Sequence, residues 1–339
     1  MFIRKNLTLF QLIRFTWYHL IWMTIWGAFV VSMYSVFHVR WISIPWLPIS
    51  VIGIATSFFV GFKANSSYDR LWEARKIWGS IVNNSRKWAS TVKVYIHDEN
   101  LSNEALMVHK KRLIKRQVAW LYALRSQLLQ PATWEHTEAT FGVGKMNTAR
   151  KRRTLDLFNN DDVEFLLRKY MTEECESIIP KTNAATHILD KNAQDLLSLK
   201  KLGLLSDYRH VELQNLINQL YDDQGQCERI KKFPFPRQYA TGSLYFIGIF
   251  ILLLPFGMIT EFEKLNQVSI WLTVPFVSLV GWVFILMELI GDYSENPFGG
   301  LPNDVPMLSL CRTIEIDLLE MIGEKDISPP IEPQGSLLL

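Results

Sequence analysis

The residue types that could carry out catalysis are scattered through this sequence. Seven histidines occur, and no two of them have the helical spacing that would place a pair of metal ligands beside a carboxylate. They are His19, His38, His97, His109, His136, His187 and His210. There is no GxGxxG, phosphate-binding loop or GxSxG string, and the acidic pair Asp222–Asp223 is interpreted as a solvated helix end. The sequence therefore predicts no enzyme, no metal site and no cofactor.

The cysteines and the overall charge exclude two further classes. The three cysteines Cys175, Cys227 and Cys311 are far apart and form no CxxC pair, which argues against a disulfide framework and against zinc. The formal net charge is only +3, and no basic stripe alternates with aromatic residues. No nucleic-acid partner is predicted.

An apolar spacing is more informative than any polar cluster. Ile54, Phe58 and Phe62 recur every four residues and therefore share one slowly drifting face of a helix. Gly53 and Gly61 leave the backbone of that helix open to close approach. If several copies surrounded an axis, three stacked apolar rings would line it and could gate ions by dewetting. Taken alone, the spacing favours an ordinary stripe that faces lipid or packs against another helix.

Four long apolar segments must position that face. They cover about residues 17–37, 42–62, 243–259 and 270–289. Each is close to the roughly 20 apolar residues that a helix needs to cross a bilayer. The first has no small-residue cleavage site before it and is interpreted as retained. The sequence thus predicts an all-α integral membrane protein with four transmembrane helices.

Basic residues predict the orientation of these helices. They flank the first, second and third segments on one side: Arg4, Lys5, Arg14, Lys63, Arg70, Arg75, Lys76, Arg229, Lys231, Lys232 and Arg237. The two short connecting loops contain only Arg40 and Lys264 as basic residues. Because basic loops stay in the cytoplasm, both termini and residues 63–237 are predicted to be cytoplasmic. The expected location is the plasma (inner) membrane.

The domain boundaries follow from the same pattern. Residues 1–62 contain the N-terminus and the first two spans, and residues 238–292 contain the other two. Residues 63–237 carry apolar stripes at helical spacing and are predicted to form a helical cytoplasmic region, with a loop at residues 141–144. Residues 293–322 form a cytoplasmic C-terminal segment, and residues 323–339 are expected to be a disordered tail.

A charged and aromatic string follows the second segment directly. Between Tyr68 and Gly79 it combines acids, bases and two tryptophans: Asp69, Arg70, Trp72, Glu73, Arg75 and Trp78. Charges in this density must pair when they are buried, and their spacing allows pairing along the helix or across a subunit contact. The tryptophans would supply packing area. We expect this string to be structural.

Three stretches of this sequence resemble a known protein family. The stretch FFVGFKANSSYDRLWEARKIWG, from Phe58 to Gly79, resembles the bestrophins, and in particular their bacterial branch. Asn296-Pro297-Phe298-Gly299 after the fourth segment is similar to the same family, as is Cys227-Glu228-Arg229-Ile230 with the two prolines that follow it. The resemblance extends over roughly residues 1–322.

That resemblance implies a function. Bestrophins are pentameric ion channels whose pore narrows at a neck of three rings, which would here be Ile54, Phe58 and Phe62. A second, cytosolic constriction would lie at Val211. The acidic run that binds calcium in animal members is absent, since Gly300-Leu301-Pro302-Asn303-Asp304 contains one acid. The expected partners are further copies of this chain, a lipid bilayer and small inorganic ions.

The expected activity is passive conduction of small monovalent ions, with cations favoured over chloride as in the bacterial branch. Two alternatives stay open. One is a chloride-selective channel, because an apolar neck does not choose a sign of charge. The other is a membrane scaffold or sensor that conducts nothing.

Overall fold

The fold is known from a computed structural model of the 339-residue chain. It describes residues 6–98, 101–132, 162–172, 174–335 and 337–338. The loop predicted at residues 141–144 lies outside these ranges. Over the described residues the chain forms α-helices joined by turns, and the only pairing of β type there is an isolated bridge between Gln334 and Leu337.

The helices are numbered along the chain. They are α1 (Leu9–Ser35), α2 (Trp46–Tyr95), α3 (Asn103–Leu129), α4 (Val163–Tyr170), α5 (Cys175–Ile178), α6 (Ala184–Lys201), α7 (Asp207–Lys232), α8 (Arg237–Glu263), α9 (Thr273–Ser294) and α10 (Met307–Met321). Short 3₁₀ turns precede α2 at Arg40–Ile42 and α9 at Ser269–Leu272.

Local signals in the sequence explain several helix ends. At the start of α1, Thr8 Oγ1 accepts the backbone N–H of Gln11 at 3.3 Å, and Gln11 Oε1 accepts that of Thr8 at 2.9 Å. This reciprocal cap satisfies two N–H groups that lack partners within the helix. At the other end of the chain, Gly323 adopts φ of 71° just after α10, a left-handed conformation that favours glycine.

The chain divides into two compact units. The first contains residues 6–70 and 234–295, which hold α1, the first half of α2, α8 and α9. The second contains residues 71–233 and 296–339, which hold the rest of α2 together with α3–α7 and α10. Because α2 runs without a break from residue 46 to residue 95, it contributes to both units.

The first unit is apolar on its outside as well as within. Three helices of the described chain are long and apolar enough to cross a membrane: α2 with its preceding turn, α8, and α9 with its preceding turn. Large apolar side chains such as Ile25, Phe29, Tyr245 and Leu252 are exposed on this unit. A surface of this kind needs lipid or another protein to cover it.

By length and apolar composition three of the described helices could cross a membrane, whereas the sequence predicts four spans. The remaining predicted span corresponds to α1, which is 27 residues long and packs against both α9 and α8. Three indole rings, at Trp17, Trp22 and Trp26, and the imidazole of His19 lower the average hydropathy of α1 without making it a surface helix. Trp rings are amphipathic and are enriched where membrane-crossing helices pass the membrane–water boundary.

The second unit has a conventional helical core. Helix α3 lies at its centre and packs against α4, α6, α7 and α10. The largest fully buried side chains of this core include Trp78 and Trp88 from α2 and Trp120 from α3. Burial of each such ring stabilises the fold by about 1.5–3 kcal/mol or more, so the tryptophans contribute heavily to the cohesion of this unit.

Two buried polar clusters of this core are paired. The guanidinium of Arg116 contacts Glu174 at 2.7 Å and Asp195 at 3.0 Å. The carboxylate of Glu315 accepts the phenol O–H groups of Tyr122 and Tyr170, the second at 2.6 Å. Burial and this nearby carboxylate raise the pKa of both tyrosines, so both phenols stay protonated donors.

Two expectations are corrected in this unit. The acidic pair of α7 is not simply a solvated helix end, because Asp223 is buried and accepts a hydrogen bond of 2.8 Å from Asn84 Nδ2. Burial raises the pKa of its carboxyl group. The C-terminal segment is not a disordered tail over its described part, because Ile327, Ile331 and Leu337 pack against the core. Apolar residues spaced among the prolines allow this packing.

The cysteines are all free and buried. Burial raises the pKa of Cys311 to about 12 and also raises that of Cys227, so neither thiol ionises readily at neutral pH. They behave as small apolar side chains of the core.

We expect Arg116→Met to lower the free energy of unfolding by about 2–4 kcal/mol, because two carboxylates would lose the cation that they share. Thermal unfolding of the purified protein in detergent measures the effect. Arg112→Met is the matched control. Arg112 also pairs with Asp195, at 2.9 Å, but it is largely exposed, so its loss should cost at most about 1 kcal/mol. Equal losses of unfolding free energy in the two variants would contradict this account of the core.

Candidate pore-lining helix

The first half of α2 carries an exposed apolar face. Ile54, Phe58 and Phe62 are 60%, 67% and 66% exposed, and the ring centroids of the two phenylalanines are 6.3 Å apart. A step of four residues along an α-helix turns by 400°, so the three side chains lie on nearly the same side. In a single chain this face is therefore open and is not used for packing within the unit.

The opposite face of the same segment is packed. Ile49, Thr56, Val60, Lys63 and Ser67 recur at steps of seven, four, three and four residues, and each is at most 2% exposed. This spacing keeps them together on one side of the helix, about half a turn away from the exposed face. The helix therefore has an apolar front that is open and a back that mixes apolar and polar residues and is buried.

Glycines let neighbouring helices approach this back. A Cβ at Gly53 would lie 2.7 Å from Cε2 of Phe250, so the ring of this α8 residue rests directly on the backbone of α2. On α8, a Cβ at Gly257 would lie 2.6 Å from Cδ1 of Ile49. Phe250 in turn contacts the ring of Phe284 on α9, with centroids 4.8 Å apart. Both glycines are thus required by a close approach and not by backbone conformation.

A buried ion pair lies just past the exposed face. The ammonium group of Lys63 donates to Glu288 and, at 2.7 Å, to Asp292, both on α9. The hydroxyl of Ser243 on α8 also donates to Glu288. From the sequence alone, Lys63 is only one of the basic residues that predict the orientation of the spans in the membrane. The signal that could have revealed this pairing is the i, i+4 spacing of the two acids within an otherwise apolar helix.

The side chains of the charged and aromatic string differ in their burial. Trp78 is fully buried in the core of the second unit, whereas Trp72 is about half exposed. Glu73 pairs with Arg229 of α7 at 2.6 Å, and both side chains are substantially exposed. An exposed pair of this kind contributes at most about 1 kcal/mol. Asp69 and Arg75 are also exposed, and Arg70 is half-buried.

Val211, on which the second constriction was placed, lies in the second turn of α7. Its side chain is 57% exposed, and Tyr208 one turn earlier is exposed as well. Both side chains are therefore open to solvent in a single chain, among the charged residues of the first turns of α7. The described residues contain no group of three or more His, Cys, Asp or Glu side chains that could hold a metal ion.

Comparison with known proteins agrees with the class that these features define, a helical membrane protein with an exposed apolar helix face. Residues 11–320 match the model of the bacterial/fungal bestrophin protein family. The chain belongs to this family, which confirms the resemblance of the charged and aromatic string.

Named relatives and a solved structure extend this result. A voltage-dependent anion channel-forming protein of Escherichia coli, YneE, is 27% identical over 311 residues, which cover 90% of this chain and 88% of the relative. A protein of the same description from Nostoc sp. is 29% identical over 279 residues, 81% of this chain and 76% of the relative. The crystal structure of a bacterial bestrophin homolog from Klebsiella pneumoniae superposes with a TM-score of 0.74 at 23% identity, over 91% of this chain and 98% of that one. That likeness shows the fold.

We expect Gly53→Val to destabilise the apolar unit by about 1–3 kcal/mol, because the new side chain would collide with the buried ring of Phe250. Gly248→Val is the control, since a Cβ at this helical glycine of α8 meets no atom within 4 Å. Thermal unfolding of both purified variants in detergent compares them. A Gly53→Val protein as stable as the Gly248→Val protein would show that α8 does not pack on α2 at this point.

Proposed function

We propose that this chain is one subunit of a bestrophin-type channel that conducts small monovalent ions passively through a central pore. The observation that carries the proposal is the two-sided character of α2. Ile54, Phe58 and Phe62 are exposed, while the opposite face is held by α8 and α9. The names of the relatives, which describe anion channel-forming proteins, support the same class of activity.

The proposed assembly is a homopentamer in the plasma (inner) membrane, with four helices of each subunit in the bilayer. These helices are α1, the first half of α2, α8 and α9. The packing of α1 against α9 supports its inclusion. The positions of basic residues support an arrangement with both termini and residues 63–237 in the cytoplasm. The number five comes from the family resemblance.

The neck would work by dewetting. Five copies of α2 around an axis would place three apolar rings, from Ile54, Phe58 and Phe62, along the ion path. A narrow apolar tube holds water poorly, so an ion must lose hydration to pass, and small changes in diameter change conduction strongly. No chemical step is needed, which agrees with the absence of an enzyme motif from the sequence.

Residues 63–237 would extend the ion path into the cytoplasm as a helical vestibule. Val211 is proposed as its constriction, and its exposure in a single chain is compatible with that role. Trp72, Arg75 and the Glu73–Arg229 pair would hold α2 against its surroundings. Trp78 would anchor the helix from inside the core.

For selectivity we propose that cations are favoured over chloride. Besides the structural role expected for it, Asp69 would face the ion path, because it is the first charged side chain on the neck face after Phe62, seven residues and two helical turns further along α2, and is exposed. A ring of such carboxylates beside the neck would attract cations and repel anions. The relatives, which are named as anion channel-forming proteins, favour the chloride-selective alternative. A non-conducting scaffold is the other alternative.

We expect Phe58→Ala and Phe62→Ala each to raise single-channel conductance roughly twofold or more, because each substitution widens an apolar ring. Planar-bilayer recordings of the purified protein measure it. Phe29→Ala is the control, because Phe29 is an exposed phenylalanine of α1, outside the proposed neck. Conductance unchanged in both α2 variants would count against the neck. Liposomes loaded with salt that show no flux would support the scaffold instead.

The sign of selectivity is tested by reversal potentials under asymmetric KCl. We expect the wild-type potential to have the sign of a cation-selective pore and Asp69→Asn to move it toward zero, because the carboxylate ring would lose its charge. Glu320→Gln is the control, since this exposed acid lies on α10. A wild-type potential of the opposite sign would establish the chloride-selective alternative.

A further inference from the structure

Lys63 is a buried cation next to an exposed apolar residue. Its side chain is only 1% exposed, whereas that of Phe62, the preceding residue, is 66% exposed. An advance of one residue turns the helix by about 100°, and Lys63 lies about 140° from Phe58, on the packed back of α2. The charge of Lys63 therefore points away from the proposed pore.

Several contacts fix the position of this ammonium group. It pairs with Glu288 and Asp292, which are one turn apart on α9, and Ser243 of α8 donates to Glu288. The backbones also meet here, because a Cβ at Gly291 would lie 3.6 Å from the Cα atom of Ala64. Three helices thus converge on one cation immediately behind the neck.

Apart from the close approach of Phe250 to Gly53, the apolar contacts of the back of α2 are less specific. Ile49 and Val60 are buried apolar side chains, for which a small rotation of α2 would exchange one dispersion contact for another. A buried cation cannot make that exchange, because leaving its carboxylates would strand opposite charges in a poorly polarisable medium. Polar pairs of this kind can specify a single register among several apolar ones.

We infer that Lys63 is a positioning residue that sets the rotation of α2 about its own axis through Glu288 and Asp292, so that the neck side chains face the pore. The consequence of that rotation for a pore rests on the proposed function. The rotation itself can be measured without any ion current. Ser243 completes the site by holding the carboxylate of Glu288 toward Lys63.

The experiment uses cysteine accessibility in the full-length protein reconstituted into liposomes. The three native cysteines are buried, so they provide a low background. Asn65→Cys probes the neck side of α2, where Asn65 is exposed, and Ser67→Cys probes the back, where Ser67 is fully buried. Each is introduced into the wild type, into Lys63→Met and into Lys63→Arg, and its rate of reaction with a charged thiol reagent is measured.

In the wild type Asn65→Cys should react much faster than Ser67→Cys. In Lys63→Met the ratio of the two rates should fall by roughly tenfold, with the first rate decreasing and the second increasing, because a rotated helix becomes populated. Lys63→Arg should restore most of the ratio, because it keeps the cation. General loosening of the protein would instead raise both rates. An unchanged ratio in Lys63→Met, or a rise in both rates, would overturn the inference.

Asp292→Asn provides a second route if Lys63→Met fails to assemble. Its carboxylate is about one-third exposed and Glu288 still pairs with Lys63, so a milder fall in the same ratio is expected. An unchanged ratio would overturn the inference here too. The failure of the proposed function is distinguishable, because it would appear as unaltered conductance in Phe58→Ala and Phe62→Ala. A ratio that responds to Lys63 in such a protein would keep the positioning role and remove the neck.

Discussion

The ion pair of Lys63 with Glu288 and Asp292 places a charge within the most apolar part of the molecule, and the arrangement of the first unit follows from it. An ammonium group in such surroundings must keep its partners, so α2 and α9 meet at this point. Gly291 lets the two backbones approach there, and Phe250 rests on Gly53 at the other end of the packed segment. Between these contacts the rotation of α2 is limited, and Ile54, Phe58 and Phe62 are left exposed.

The same helix has a different task after residue 70. There it enters a core in which Trp78 and Trp88 are fully buried and in which packing, not ion pairing, fixes the helix. The charges of the second unit pair as well, but the Glu73–Arg229 contact is exposed and contributes little compared with burial of either indole. In the first unit this continuous helix is thus held by a buried ion pair, and in the second unit it is held mainly by burial of large rings, beside the Asn84–Asp223 hydrogen bond.

Sequence reasoning found the helical class and the exposed face, because a spacing of four residues is visible without a structure. It could not find the packed face, whose members Thr56, Lys63 and Ser67 are polar and resemble a solvated stripe. Nor could it tell Trp72 from Trp78, since both stand in one charged string and only packing with residues distant in the sequence decides which ring is buried. The burial of Asp223 was also not visible in the sequence, because its hydrogen-bond partner Asn84 lies 139 residues earlier in the chain.

A gate that acts by dewetting needs a diameter that does not drift, because the free energy of water in an apolar tube changes steeply with its width. The side chains of such a gate cannot supply this constancy themselves. The rings of Phe58 and Phe62 have centroids 6.3 Å apart, but no neighbouring helix among the described residues covers them. The constancy must come from the backbone that carries them, and that backbone is held from behind. In the proposed channel an apolar neck and a buried polar contact would therefore be complementary, since the first would set the barrier and the second would keep it in place.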